Sequence, residues 1–151
     1  MTILLDANLL LLFVVGLASR KYISTHKRLK SYSEEDYDLL QVMLARASKI
    51  IVTPNVLTET SNLAAQIGDP ARTRIFQVLR AAIGSGKTTE CYLDSRVAAA
   101  RPEFLRLGLT DCGLLEIGAP GDLLLTADVQ LWRAALANGK NAQTFNHVRN
   151  M

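Results

Sequence analysis

Cysteine and long apolar runs are scarce in this chain, and each scarcity excludes a class of protein. The 151 residues include two cysteines, Cys91 and Cys112, which are too few for a disulfide framework and lack the spacing of metal ligands. The apolar stretch at residues 9–18 is shorter than the roughly 20 residues that a membrane span needs. No positive segment precedes it, as a secretory signal would require, since Asp6 and Asn8 stand there. We therefore expect a reduced, cytoplasmic protein without a membrane partner.

The bulk composition is that of one globular domain. A length of 151 residues suits a single domain, and 49% hydrophobic residues are enough for a sizeable core. The net charge of +3 is mildly basic, which permits a nucleic-acid partner without requiring one. Because no internal repeat, low-complexity tract or linker is present, we predict one domain over residues 1–151.

Short apolar runs alternate with helical patterns along the whole chain. The runs predicted as strands cover residues 3–5, 49–53, 89–93, 122–126 and 142–145. Such alternation of strands and helices is typical of a parallel sheet covered by helices on both faces. The sequence therefore predicts an α/β fold: a three-layer α/β/α sandwich with a central, mostly parallel sheet of about five strands.

Local signals predict where several helices begin. Ser31 and Glu34 have the spacing of a capping box. Thr53 precedes Pro54, an arrangement typical of a cap followed by the first helical position. Thr110 is expected to cap a later helix.

One short segment imitates a phosphate-binding loop. Gly86, Lys87 and Thr88 look like the end of a P-loop, but Ala81 stands where the motif needs its first glycine. A P-loop follows a strand and opens a helix, whereas this segment is expected to follow a helix and lead into a strand. We therefore exclude nucleotide binding here.

Acidic residues stand where an α/β sheet would gather them at one edge. Asp6 ends the first strand, Glu59 lies on the helix after the second, Asp111 begins a helix, and Asp128 follows the strand that ends at Thr126. Ligands of open α/β sheets bind at the carboxyl ends of the strands. Taken singly, each acid could be a helix cap or a solvated residue.

Taken together, the acids indicate a cation site. Crowded carboxylates raise one another's pKa, which is costly unless a cation neutralises them. Mg²⁺ prefers oxygen ligands and often keeps several waters. A phosphodiester would complete its coordination, and the metal would polarise the phosphoryl group and activate an attacking water.

Residues 19–30 form a basic segment with two interpretations. It is either an arm that contacts phosphates or a solvated loop with a basic face. The candidate RNA-binding residues are Arg20, Lys21, Lys27, Arg28 and Lys30. His26 and His147 are expected to be surface residues without a catalytic role.

Several of these motifs, in this order, resemble those of the PIN-domain ribonucleases, notably the VapC-type toxins of bacterial toxin–antitoxin pairs. The matching segments are Ile3-Leu-Leu-Asp6-Ala-Asn8-Leu-Leu, Thr53-Pro-Asn-Val-Leu-Thr-Glu59, Leu107-Gly-Leu-Thr-Asp111-Cys, Leu124-Leu-Thr126-Ala-Asp128 and Asn141-Ala-Gln-Thr-Phe145-Asn-His. The resemblance spans nearly the whole chain. Two features depart from the family: residues 20–36 are longer and more basic than usual, and Cys112 stands where many members carry alanine.

The resemblance implies an endoribonuclease that depends on Mg²⁺ or Mn²⁺ and uses metal-activated water. The catalytic, metal-binding residues would be Asp6, Glu59, Asp111 and Asp128, with Asn8 and Thr126 as supporting polar residues. The implied partners are an RNA substrate, a protein antitoxin and a second copy of the chain.

Two alternatives remain open at this point. The first is a PIN-like module that binds RNA or protein with little activity. The second is a phosphohydrolase with an aspartyl nucleophile, for which Asn8 stands where a second aspartate would be wanted.

Overall fold

Five short parallel strands form one sheet through the centre of the molecule. In this computed structural model, which describes residues 1–151, the strands are β1 (Thr2–Leu5), β2 (Lys49–Val52), β3 (Thr88–Glu90), β4 (Leu123–Thr126) and β5 (Asn141–Thr144). Their order is β3-β2-β1-β4-β5, with every neighbouring pair parallel. The α/β fold class is thereby confirmed, and the strand order reverses on either side of β1, which places a topological switch point there.

Ten helices connect the strands and cover the sheet. They are α1 (Ala7–Ala18), α2 (Tyr22–Thr25), α3 (Glu34–Arg46), α4 (Pro54–Ala64), α5 (Ala71–Ile83), α6 (Ser95–Ala99), α7 (Phe104–Leu107), α8 (Leu109–Glu116), α9 (Val129–Ala137) and α10 (Phe145–Arg149). None of them combines the length and the apolar character that crossing a bilayer would need.

The core lies around β1 and α1. The apolar residues of β1 are almost completely buried, and α1 buries residues on nearly every side. The helix packs against α3, α4 and α5, which explains why its apolar residues are not confined to one stripe. Gly16 allows the close approach of α3, because a Cβ at this position would lie 2.2 Å from the ring of Tyr37.

The capping box of α3 lies two residues after the predicted one. Ser33 is the N-cap: its hydroxyl accepts from the backbone N–H of Asp36 at 3.1 Å, and the Asp36 carboxylate accepts from the N–H of Ser33 at 2.9 Å. The predicted pair of Ser31 and Glu34 is therefore wrong, since Glu34 is the first residue of the helix. Both pairs have the same spacing, so the motif alone does not distinguish them.

The other two predicted helix starts have opposite outcomes. The Thr53 hydroxyl caps α4, and Pro54 occupies its first position, as expected. The prediction that Thr110 caps α8 is wrong, because Gly108 is the N-cap and Leu109 already belongs to the helix. Gly108 adopts a φ of 83°, a left-handed conformation that glycine reaches without strain.

The segment that imitates a P-loop connects α5 to β3, as the sequence predicts. The ammonium group of Lys87 donates to the backbone carbonyl of Leu44 at 2.6 Å and to that of Ala45 at 3.3 Å. These carbonyls lie in the last turn of α3, so this lysine stabilises a helix end.

His26 is fully buried, so its predicted surface position is wrong, whereas His147 is exposed as expected. The Nδ1 atom of His26 accepts from the N–H of Arg28 at 3.2 Å, and Nε2 lies 3.5 Å from the carbonyl of Ala64. Burial lowers the pKa of His26. A neutral ring that accepts at Nδ1 and donates at Nε2 satisfies both partners, and these partners account for its burial.

Candidate functional site

Asp6 lies at the carboxyl end of the central strand and connects it to its neighbour. The residue is 5% exposed. Its Oδ1 accepts from the N–H of Leu9 at 2.9 Å, which caps α1. Its Oδ2 accepts from the Thr126 hydroxyl and, at 3.1 Å, from the N–H of Ala127, both at the end of β4. The carboxylate is thus held in one orientation at the switch point of the sheet.

Asp128 lies at the same edge and is oriented by the same turn. Its Oδ1 accepts from the N–H groups of Gln130 at 2.8 Å and Leu131 at 3.1 Å, which caps α9. Its own N–H donates to the Thr126 hydroxyl oxygen at 3.0 Å. Thr126 therefore links two acids, because its hydroxyl donates to Asp6 and accepts from the N–H of Asp128.

Asp111 lies in the first turn of α8 and is half-buried, and its carboxylate accepts no hydrogen bond within the chain. The pKa of this carboxyl is raised to about 7, first by burial and then by the carboxylates of Asp128, Asp6 and Glu59, in that order. The pKa of Asp6 is also raised, chiefly by burial, against the lowering effect of its hydrogen bonds. The electrostatic field at Asp111 thus includes all three of the other predicted acids.

Glu59 is the most exposed of the four acids. It is exposed on the second turn of α4. None of the four acids forms a salt bridge, whereas six other acids of the chain are paired with arginine. Asn8, predicted as a supporting residue, is exposed two positions after Asp6. The edge therefore carries negative charge that the protein itself does not neutralise by ion pairs.

The donor set fits a hard divalent cation that keeps some of its water. No three histidine, cysteine, aspartate or glutamate side chains lie close enough together to hold one metal ion. Mg²⁺, however, is commonly bound through one or two carboxylates and retains several waters. Carboxylate oxygens without a cationic partner, at a site with no nitrogen or sulfur ligand, match that preference.

The basic segment divides into one structural residue and several free ones. Arg20 forms a bidentate pair with Asp38, at 3.0 and 2.7 Å, and a second pair with Glu34 at 3.1 Å. These pairs hold the segment against α3. The remaining candidate residues are exposed and outside any salt bridge: Lys21, Lys27, Arg28 and Lys30.

A tyrosine and an arginine near this edge were missed by sequence reasoning. The pKa of Tyr32 is raised to about 12, first by burial and then by the carboxylate of Asp6. The Arg149 guanidinium lies 4.8 Å from the centre of the Tyr32 ring and pairs with Asp36 at 3.1 Å. More than 100 residues separate Arg149 from both partners, so no local signal could have identified this cluster.

Asn146 is a further polar residue at this edge. Its side-chain N–H donates at 3.0 Å to the carbonyl of Ala127, the residue between Thr126 and Asp128. It thus connects the start of α10 to the turn that holds both aspartates. The one local signal that could have predicted Asn146 as a site residue is its position shortly after the last strand.

The fold and this edge together define a class: an α/β/α protein with an unneutralised acidic cluster at the carboxyl ends of its parallel strands. No family model matches the chain, and neither a curated protein nor a solved structure matches it.

Proposed function

We propose that this chain is a Mg²⁺-dependent endoribonuclease of the PIN type, with Mn²⁺ as a substitute metal. The observation that supports the proposal is the placement and charge of the acids. Thr126 links Asp6 and Asp128 at the ends of the paired strands β1 and β4. The carboxylates of Asp128, Asp6 and Glu59 all raise the pKa of Asp111, and no lysine or arginine is paired with any of the four. Such an edge favours a divalent cation. The resemblance of the same residues to PIN-domain ribonucleases supplies the substrate class.

The side chains would divide the work between positioning and binding. Thr126 and Ala127 fix Asp6, while the free oxygens of Asp111, Asp128 and Glu59 are left to face the cation and its waters. Bound there, Mg²⁺ would lower the pKa of an attacking water and stabilise negative charge on the phosphoryl oxygens. The protein contributes no covalent nucleophile in this scheme.

One observation favours a second candidate, a PIN-like module that binds RNA or protein without useful activity. No three acidic, histidine or cysteine side chains are close enough to share an ion. A protein of this kind would bind RNA without cleaving it, whatever metal is supplied.

A toxin role, with a protein antitoxin and a homodimer, is supported by the resemblance alone. Both cysteines are free, which supports a reducing, cytoplasmic setting.

Within residues 19–30, the cations that we propose for RNA binding are Lys21, Lys27, Arg28 and Lys30. Arg20 is left out because it is already paired with Asp38 and Glu34.

The decisive experiment is cleavage of a mixed RNA pool with Mg²⁺ and with chelator. We expect metal-dependent cleavage that Asp6→Asn and Asp111→Asn abolish. Asp111 is the cleaner test of the two, because its carboxylate accepts no hydrogen bond, whereas that of Asp6 accepts three. Asp122→Asn is the matched control, since Asp122 lies before β4, at the opposite end of that strand, and accepts from the N–H of Ala119.

Each alternative predicts its own result. RNA binding without cleavage under any metal would favour the binding module. A trapped phospho-aspartate at Asp6 would favour the phosphohydrolase and contradict the water-based mechanism.

A further inference from the structure

A cavity of about 410 Å³ opens beside the acidic edge, between α4, the segment after β3, and α8. Thr110 contributes to its wall and immediately precedes Asp111. Asn55 contributes from α4, four residues before Glu59, and residues four apart lie on the same helix face. The cavity is therefore a neighbour of the acidic cluster, and its volume is typical of a small-ligand site.

Tyr92 lines this cavity and is 77% exposed. It is the one aromatic residue among the exposed large hydrophobic residues of the chain. Its hydroxyl has one weak contact, to the Glu90 carboxylate at 3.4 Å. The ring therefore takes almost no part in packing. An exposed aromatic face is the group on which unpaired bases of single-stranded RNA stack.

Gly113 keeps one wall of the cavity open. It lies inside α8, where glycine is less favourable than alanine. A Cβ at this position would meet nothing closer than the Leu93 side chain at 4.0 Å, an ordinary contact. Packing therefore does not require glycine here, in contrast to Gly16, where Tyr37 leaves no space. A larger side chain at position 113 would occupy part of the cavity.

The chemistry of the walls selects a flat neutral group with polar edges. Asn55, Ser95 and Thr110 offer amide and hydroxyl groups beside several apolar side chains. The one charged wall residue, Asp94, already pairs with Arg96 at 2.9 Å. Because no lysine or arginine lines the cavity, a phosphate has no partner in it, whereas a base can stack and form hydrogen bonds.

We infer that this cavity receives one unpaired nucleobase of a single-stranded RNA, next to the phosphodiester held at the acidic edge. The inference rests on the proposed endoribonuclease function and adds a base-binding subsite to it. Tyr92 supplies the stacking face, and the polar wall residues meet the edge of the base.

The test compares Tyr92→Ala, Tyr92→Phe and Gly113→Ala in two assays. Binding of a short labelled single-stranded RNA is measured by fluorescence anisotropy in an Asp111→Asn background, which is expected not to cleave it. Cleavage is measured as kcat and KM in the otherwise unchanged protein. Tyr92→Ala should raise Kd and KM about 5- to 100-fold, the range expected for one lost stacking contact, with a small change in kcat. Tyr92→Phe should restore most of the affinity.

Gly113→Ala should weaken RNA binding while leaving thermal stability equal or higher, which separates cavity filling from misfolding. The control is Leu105→Ala, since Leu105 is 96% exposed and lies outside the cavity. An RNA with one abasic position, moved along the strand, should at one position remove the difference between Tyr92 and its alanine variant.

The outcomes separate the two proposals. If no RNA is cleaved but Tyr92→Ala still weakens binding, the base site stands and the nuclease proposal fails. If cleavage is metal-dependent yet unaffected by Tyr92→Ala and Gly113→Ala, the nuclease proposal stands and the base site is refuted.

Discussion

Asparagine at position 111 should stabilise the metal-free protein at neutral and alkaline pH. The Asp111 carboxyl has a pKa of about 7 in the fold, against 3.8 for an ordinary aspartate, because of burial and three neighbouring carboxylates. Between these values the unfolded chain has released the proton that the folded protein still holds. Stability therefore falls as pH rises from about 4 to about 7. Asp111→Asn removes this penalty, since the amide carries no charge.

The size of the effect follows from the two pKa values. They differ by about 3 pH units, and at 1.36 kcal/mol per unit the upper bound is about 4 kcal/mol. Because Asp111 is half-buried and partly solvated, we expect about 2 kcal/mol at pH 8. For a chain of this length, that corresponds to a rise in Tm of about 4–8 °C.

Metal should reverse the order of the two proteins. An ion present at 100 times its Kd stabilises the folded state by about 2.7 kcal/mol. The wild-type chain should gain most of this from Mg²⁺ at pH 8 and little at pH 4, where Asp111 is protonated. The variant should gain much less at either pH.

The assay is thermal unfolding followed by circular dichroism at pH 4, 6 and 8, with chelator or with Mg²⁺. Asp122→Asn is the control, because Asp122 lies at the other end of β4 from the acids. If Asp111→Asn melts no higher than wild type at pH 8 in chelator and responds equally to Mg²⁺, the Asp111 carboxylate neither destabilises the fold nor binds the ion.

Three further substitutions test the packing and the buried polar contacts. Gly16→Ala should cost about 1–3 kcal/mol in urea unfolding, because its Cβ would overlap the Tyr37 ring; an unchanged midpoint would contradict the close approach. Thr126→Val should cost about 1–3 kcal/mol by leaving a buried Asp6 oxygen without its hydroxyl donor, whereas Thr126→Ser should restore most of it. Burial lowers the pKa of His26, so wild type loses this contribution as pH falls below about 6.5. The destabilisation caused by His26→Gln should therefore be largest above pH 6.5 and smaller at pH 5; a constant difference would mean that the ring is not buried neutral.

The sequence was sufficient for the architecture, because the periodicity of apolar residues is a local property. Five strands separated by helical segments leave little choice but a parallel sheet covered on both faces. The helix starts were less secure, and α3 shows why. Ser31 and Ser33 both have an acid three residues later, but Arg149, from the far end of the chain, binds the Ser31 carbonyl at 2.8 Å and the Asp36 carboxylate. A local sequence motif cannot predict a contact between residues so far apart in the chain.

The site residues also divide into those that the sequence predicts and those that depend on long-range contacts. The acids could be predicted as candidates because the carboxyl ends of parallel strands meet at one edge, which is a rule of topology. The burial of His26 depends instead on a carbonyl 38 residues away, at Ala64. The electrostatic effect of Asp6 on Tyr32 is likewise a consequence of tertiary packing, since neither the spacing of Tyr32 nor its neighbours in the sequence indicate a site.

A carboxylate can cap a helix with one oxygen and still offer the other to a metal ion, so the hydrogen bonds of each oxygen decide what remains available. Asp128 caps α9 through Oδ1 alone, which leaves Oδ2 without a partner. Asp6 accepts three hydrogen bonds over its two oxygens, so little of its capacity of about four remains. Asp111 accepts none. Within the proposed metal site, Asp6 therefore acts mainly by fixing the geometry of the edge, and Asp111 has the most oxygen capacity to offer a cation. The Kd for Mg²⁺ should accordingly rise more in Asp111→Asn than in Asp6→Asn, and the reverse order would show that hydrogen-bond occupancy does not decide which acid binds.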